Sequence, residues 1–266
     1  MLTRTSTPHQ HGVTQRLSAG NTSQGLDLIK RQWGYMLRHP NSTQSTFWEG
    51  YQANGQYAFQ GIYMSHAHGW ATGPAAGLTF YVLGLRPVDG SNGGSGSEYI
   101  VAPQPSIEQG VTWCNGSLAF ESGAASVHVA WSLEHAHTKH GGLRSAEDGA
   151  FNVFVLTVDS TAHPTAAVGR IGLPLHALGV ATPDEVEITF EVDGTDDPDG
   201  NDNINGNGPG AGGAGDEVEL TAPPAGLQVS SWGLRDERLW YELTQPRRIT
   251  IKVQPKSKRT AADQRD

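Results

Sequence analysis

The glycine- and serine-rich run Asp89–Ser97 divides this chain into two parts whose apolar residues keep different periods. Before it, Leu26, Ile29, Trp33, Met36 and Leu37 recur at a spacing near that of one helical face. After it, Val127, Val129 and Trp131 alternate with His128 and Ala130, and Ile249, Ile251 and Val253 alternate with Thr250 and Lys252. A period of two belongs to strands with one face buried. The chain is therefore expected to be an α+β protein in two parts, helices first and an antiparallel β-sandwich second.

The finer organisation follows from turn and cap signals. Residues 1–20 are rich in Ser, Thr, Gln, His and Gly and show no period, which predicts an irregular segment. A helix should begin with Asn21, Thr22 or Ser23 as its cap and end at His39-Pro40, because a residue before proline avoids helical geometry. Residues 41–63 read as a loop carrying Phe47, Trp48, Tyr51, Tyr57, Phe59 and Tyr63. A second helix is predicted over His68–Leu85 despite Gly69, Gly73, Pro74 and Gly77, whose cost must be offset by close packing. The helical part thus spans 21–87, and 88–97 is a linker at a domain boundary. Strands are expected at 98–102, 117–121, 126–132, 152–158, 186–192, 227–232 and 247–253. They place a sandwich over 98–255, interrupted by a low-complexity insertion at 194–215 and followed by a basic polar tail at 256–266.

Charge and cysteine content exclude several functions. The 266 residues carry a net charge of -9, which argues against a nucleic-acid partner. The short basic run Lys256–Arg259 reads as a solvated tail. One cysteine, Cys114, allows no internal disulfide and is expected to be a buried structural thiol. No apolar signal region is visible in Met1–Ser18, and no run of 18 apolar residues suggests a membrane partner. The compartment is left open by these facts.

The chemistry concentrates in Ser45–Tyr51, where Glu49 stands between Trp48 and Tyr51 among amide side chains and glycine. Aromatic faces stack on sugar rings, and apolar neighbours raise a carboxyl pKa toward the range useful in proton transfer. Glu49 is a candidate general base and Trp48 a candidate wall of a sugar subsite; a loop glutamate that merely follows an aromatic residue is the plainer reading. A second cluster, Ser65–Trp70, contributes His66, His68 and Trp70 as candidate sugar contacts, with helix capping as the plainer reading of the histidines. No second ligand pair accompanies His66 and His68, so neither a metal nor any other cofactor is expected. His135, His137 and His140 read as a solvated loop. Asp197, Asp199, Asn201 and Asn203 lack the glycine and glutamate that a calcium loop needs.

Several segments, in order, resemble the C-terminal part of the α-L-rhamnosidases, glycoside hydrolase family 78. They are Leu28–Leu37 (LIKRQWGYML), Ser45–Tyr51 (STFWEGY), Met64–Pro74 (MSHAHGWATGP), Leu78–Leu85 (LTFYVLGL) and Val101–Pro105 (VAPQP). The resemblance implies the last helices of an (α/α)6 barrel followed by a β-sandwich, and inverting hydrolysis of a terminal α-L-rhamnose. It gives Glu49 the role of general base, with Trp48 beside it. His68 takes that of a substrate-contacting histidine, although Ala67 stands where the family more often has Asn. The family's general acid lies upstream, and no motif before Asn21 matches it. The implied molecule is a fragment that binds a rhamnosylated carbohydrate and turns it over little or not at all alone. A different class of reading makes the sandwich a non-catalytic carbohydrate-binding or interaction module, with Trp131, Trp232, Trp240 and Tyr241 as candidate binding rings. In a third reading the missing hairpins are encoded upstream of Met1.

Overall fold

In a computed structural model the described residues are 5–6, 10–57, 63–88, 98–120, 125–135, 153–162, 169–192, 227–235, 238–244 and 247–256. Among them are three α-helices: α1 (Gln10–Ser18), α2 (Thr22–Arg38) and α3 (Gly73–Gly77). Helix α2 follows the apolar stripe, burying Leu26, Trp33 and Met36. Its C-terminus closes with the His39 N–H donating to Tyr35 O at 3.0 Å, and His39 turns extended before Pro40 as expected. The cap departs from expectation. Asn21 occupies the N-cap position without a side-chain capping bond, and the Thr22 hydroxyl instead donates to Gln104 Oε1 at 2.6 Å.

Helix α1 corrects the expectation that 1–20 is irregular. Its apolar content is sparse, but Val13 and Leu17 lie one helical turn apart and both are fully buried. Leu17 fits notches at two glycines. A Cβ on Gly25 would come within 2.7 Å of the Leu17 side chain, and one on Gly77 within 3.0 Å. The absence of those side chains lets three helices meet at one leucine, a complementarity that no local pattern in 1–20 announces.

The second helical span is a composite. A 3-10 turn (Gly69–Thr72) leads into α3, and a π-helical turn (Leu78–Leu83) follows. Gly84 stops it with φ of 88°, a left-handed conformation open to glycine at little cost. Trp33 ties this span to α2, since its indole N–H donates to Ala71 O at 2.6 Å in the buried interior. Trp33→Phe keeps most of the volume and removes the donor. We expect a loss of about 1–2 kcal/mol in urea unfolding, the usual cost of orphaning one buried acceptor.

The strands, in chain order, are β1 (Thr5–Ser6), β2 (Tyr51–Gln52), β3 (Leu85–Pro87), β4 (Tyr99–Val101), β5 (Trp113–Phe120), β6 (Ala125–Glu134), β7 (Val153–Asp159), β8 (Gly169–Pro174), β9 (Val186–Val192), β10 (Leu227–Arg235), β11 (Arg238–Leu243) and β12 (Arg248–Pro255). Strands β1 and β2 form a small ribbon, and the rest form two five-stranded sheets. One runs β5-β6-β7-β12-β9 and is antiparallel throughout. The other runs β10-β11-β8-β4-β3, and its β4–β8 pair is parallel, so this sheet is mixed where antiparallel pairing was expected. A parallel pair needs a long crossover, and here the chain between β4 and β8 forms three strands of the other sheet.

Strands β3, β8 and β11 were not legible. Gly169, Gly172 and Pro174 in β8 read as turn residues, and β11 is buried at five of its six positions and so shows no alternation. The 88–97 stretch joins β3 to β4, which are antiparallel neighbours in one sheet, so the helical part and the strand part share a hairpin at this point. Both sheets and the helices contribute to one apolar cluster, with ring contacts between Tyr99 and Phe120 and between Phe190 and Tyr241 joining the two sheets. The insertion at 194–215 and residues 257–266 lie outside the described residues, as do His137, His140, Asp197, Asp199, Asn201 and Asn203.

Candidate functional site

Two irregular segments lie side by side beyond the end of α2. The Glu49 N–H donates to Ser65 O at 2.9 Å and the His68 N–H to Phe47 O at 3.0 Å. The Thr46 hydroxyl adds a bond to His66 O at 2.7 Å. Side chains alternate across extended backbone, so consecutive residues of such a segment point opposite ways. Trp48 turns inward and Glu49 outward.

Trp48 is fully buried, with Tyr35, His39, Tyr51, Tyr57 and His66 arranged around its ring. Its backbone N–H points at Met36 Sδ, 3.3 Å away. A ring with 0% exposure has no face for a sugar, so Trp48, expected as a wall of the subsite in contact with substrate, supports the loop from inside instead. Trp70 has that face instead, at 52% exposure. Its indole N–H donates to Glu49 O at 3.2 Å, and the His68 ring packs against it with centroids 4.1 Å apart.

Glu49 is held by one oxygen. Oε2 accepts the Ser65 N–H at 3.2 Å and stands 3.9 Å from His68 Nδ1, a distance for charge attraction rather than a hydrogen bond. Oε1 has no hydrogen-bond partner among the described residues. A carboxylate anchored through one oxygen keeps the other available to take a proton from water. No polar contact of Glu49 among the described residues is to a second carboxyl group.

The structure thus brings Glu49, His68 and Trp70 together and adds Ser65, which sequence reasoning missed because its contribution is a backbone N–H. His66 is placed differently. A bend at 66–67 breaks the alternation that would have set it beside His68, and its ring packs on Tyr57 and Trp48. A cleft of about 630 Å³ opens beside the same ring cluster, lined among others by Tyr35, His39, Asn41, Gln52, Gln56 and Tyr57; Glu49, His68 and Trp70 do not line it. Among the described residues, no group of three or more His, Cys, Asp or Glu could hold a metal ion. His135 is exposed at the end of β6. Cys114 is half-buried on β5, and burial raises its thiol pKa against an opposing backbone hydrogen bond from Asn115. Of the rings considered for a sandwich binding face, Trp131, Trp240 and Tyr241 are buried, and the Trp232 side chain lies outside the described residues.

Over 92% of its length this chain superposes on the α-L-rhamnosidase of Dictyoglumus thermophilum, with a TM-score of 0.51 and 12% identity. The fold is rhamnosidase-like. The match spans 20% of that protein's own chain. The Streptomyces avermitilis α-L-rhamnosidase, in a complex with L-rhamnose, matches 92% of this chain and 21% of its own at 14% identity and a TM-score of 0.40. No family model and no curated protein matches the sequence. At such identities the rhamnosidase likeness is one of fold.

Proposed function

We propose that this chain is the C-terminal part of an inverting α-L-rhamnosidase-type glycoside hydrolase, with Glu49 as the general base. In this reading α2 and the span 69–83 are the last helices of an (α/α)6 barrel, and the two five-stranded sheets are the β-sandwich that follows it. The observation that carries the reading is the carboxylate itself. Its Oε2 is tied to the Ser65 N–H, its Oε1 is open, and an exposed indole stands beside it. Inversion asks for a base that activates water on one face of the sugar and an acid some 6.5–9.5 Å away on the other. Glu49 supplies the first, Trp70 offers a stacking face, and His68 offers a polar contact. The rhamnosidase likeness in fold supports the choice of substrate class.

The acid belongs to a part of the barrel that this chain does not contain. We therefore expect no release of rhamnose from an aryl α-L-rhamnoside above the uncatalysed rate. L-rhamnose itself should bind with Kd on the order of 1–10 mM, weakened at least about fivefold by Trp70→Ala. Release of rhamnose that Glu49→Gln abolishes would show a complete site and overturn the half-site reading. Rhamnose binding untouched by Trp70→Ala would remove the site assignment.

A further inference from the structure

The cleft of about 630 Å³ beside the Trp48 ring cluster shares no lining residue with the Glu49, His68 and Trp70 group, and the chemistry of Glu49 does not use it. Its walls come from the C-terminal end of α2, from Asn41 beyond it and from residues 52–57. Two tyrosine hydroxyls tie these segments together. Tyr35 donates to Gly55 O at 2.7 Å and Tyr57 to Asn41 O at 2.9 Å. The 52–57 turn also closes on itself, the Gln52 N–H donating to Gln56 O and the Gly55 N–H to Gln52 O, both at 2.8 Å. Gly55 has φ of 83°, and a Cβ there would strike the Tyr35 hydroxyl, so the glycine permits both the turn and the close approach. Bonds between segments thus hold the walls before any ligand arrives, which lowers the ordering cost of binding.

The walls carry no fixed charge. None of the described residues lining the cleft is Asp, Glu, Lys or Arg. His39 Nδ1 accepts the Asn41 N–H at 3.2 Å, which puts the ring proton on Nε2 and leaves that ring neutral. A charged ligand would give up hydration here and meet no counter-charge in return.

The free polar groups are of both senses. The Asn41 side-chain amide makes no hydrogen bond among the described residues and offers a carbonyl and an NH2 group. Gln52 spends Nε2 on Tyr57 O at 3.2 Å and keeps Oε1 as an acceptor. Gln56 accepts the Asn54 Nδ2 bond at 3.1 Å through Oε1 and keeps Nε2 as a donor. A sugar hydroxyl donates and accepts at once, so a mixed set of amides matches it. The rings of Tyr35 and Tyr57 add apolar surface for the C–H side of a pyranose. The volume falls among small-molecule sites, about 300–1,000 Å³.

We propose that this cleft is a carbohydrate site separate from Glu49, taking a neutral mono- or disaccharide. Asn41, Gln52 and Gln56 hydrogen-bond its hydroxyls, and the two tyrosines pack against its ring. The assignment does not rest on the rhamnosidase reading.

NMR titration of the 15N-labelled full chain with D-glucose, D-galactose, lactose and cellobiose tests this, with glucuronate, glucosamine and adenosine as comparisons. At least one neutral sugar should shift the side-chain amide signals of Asn41 and Gln56 saturably, with Kd on the order of 1–10 mM. Added salt should leave that affinity unchanged. Asn41→Ala should lower it about fivefold while the thermal unfolding temperature stays in place, since the amide has no hydrogen bond to lose. Adding Gln56→Ala to that variant should abolish saturable binding, and Trp70→Ala should leave the affinity of the intact cleft unchanged. Affinity that survives the double variant overturns the proposal. Binding lost in Trp70→Ala and kept in Asn41→Ala overturns it too, by moving the sugar to the Glu49 group, and leaves the rhamnosidase reading standing. Glucuronate, glucosamine or adenosine binding more tightly than every neutral sugar refutes the ligand class, and no saturable shift with any of the four sugars refutes the site.

Discussion

Trp48→Ala should cost about 3–5 kcal/mol, the range for emptying a large aromatic site in a packed interior. The ring has no exposure and is bordered edge-on by His39, Tyr51 and Tyr57 and by Tyr35. Those neighbours come from the end of α2 and from the 51–57 loop, so the cavity would loosen several segments at once. Its effect should reach beyond stability. Trp48 and Glu49 are consecutive, and the buried ring is what turns the carboxylate outward. Urea unfolding of Trp48→Ala and Trp48→Phe measures the first effect, with Phe recovering more than half of the loss. L-rhamnose titration of whatever fraction stays folded measures the second. A loss below about 1 kcal/mol in Trp48→Ala would mean that the ring is not the keystone of this loop.

Gly84→Ala is the second large effect, at about 2–5 kcal/mol. Two terms add. An L residue at φ of 88° costs about 1–2 kcal/mol through the contact of Cβ with its own carbonyl neighbourhood. The added Cβ would also stand 2.4 Å from Ala102 C and Pro103 N. Those atoms are backbone and cannot rotate away, unlike the flexible Leu17 side chain that faces Gly25. The same residue accepts the Ala102 N–H at 2.9 Å, so any shift that relieves the clash breaks this bond at the start of the β3–β4 pair. Thermal unfolding of Gly84→Ala against Gly34→Ala makes a clean comparison. Gly34 is helical with open space at its Cβ, and Ala there should be neutral or stabilising. Equal unfolding temperatures for the two variants would contradict the account.

Much of the local structure was legible because it is written in short-range patterns. The stripe in α2 and the stop at His39-Pro40 need only a helical wheel and the geometry before proline. Strand β9 spans Val186–Val192, the range expected, and β6 shows strict alternation of buried and less buried residues. What failed depends on partners distant in the chain. Helix α1 stands on Leu17 entering the notches at Gly25 and Gly77. Strand β8 is held by β4 on one side and β11 on the other, despite its glycines. The parallel β4–β8 pair follows from chain order in space, which no window of sequence contains.

For the site, the residues themselves settle that a carboxylate, a histidine and two indoles lie close along the chain, because their spacing is covalent. Which indole faces solvent was decided by packing. Trp48 has the ring cluster to fill and Trp70 does not, although the two look alike in the sequence. The free Oε1 of Glu49 likewise depends on Ser65 donating its N–H to Oε2 from the neighbouring segment.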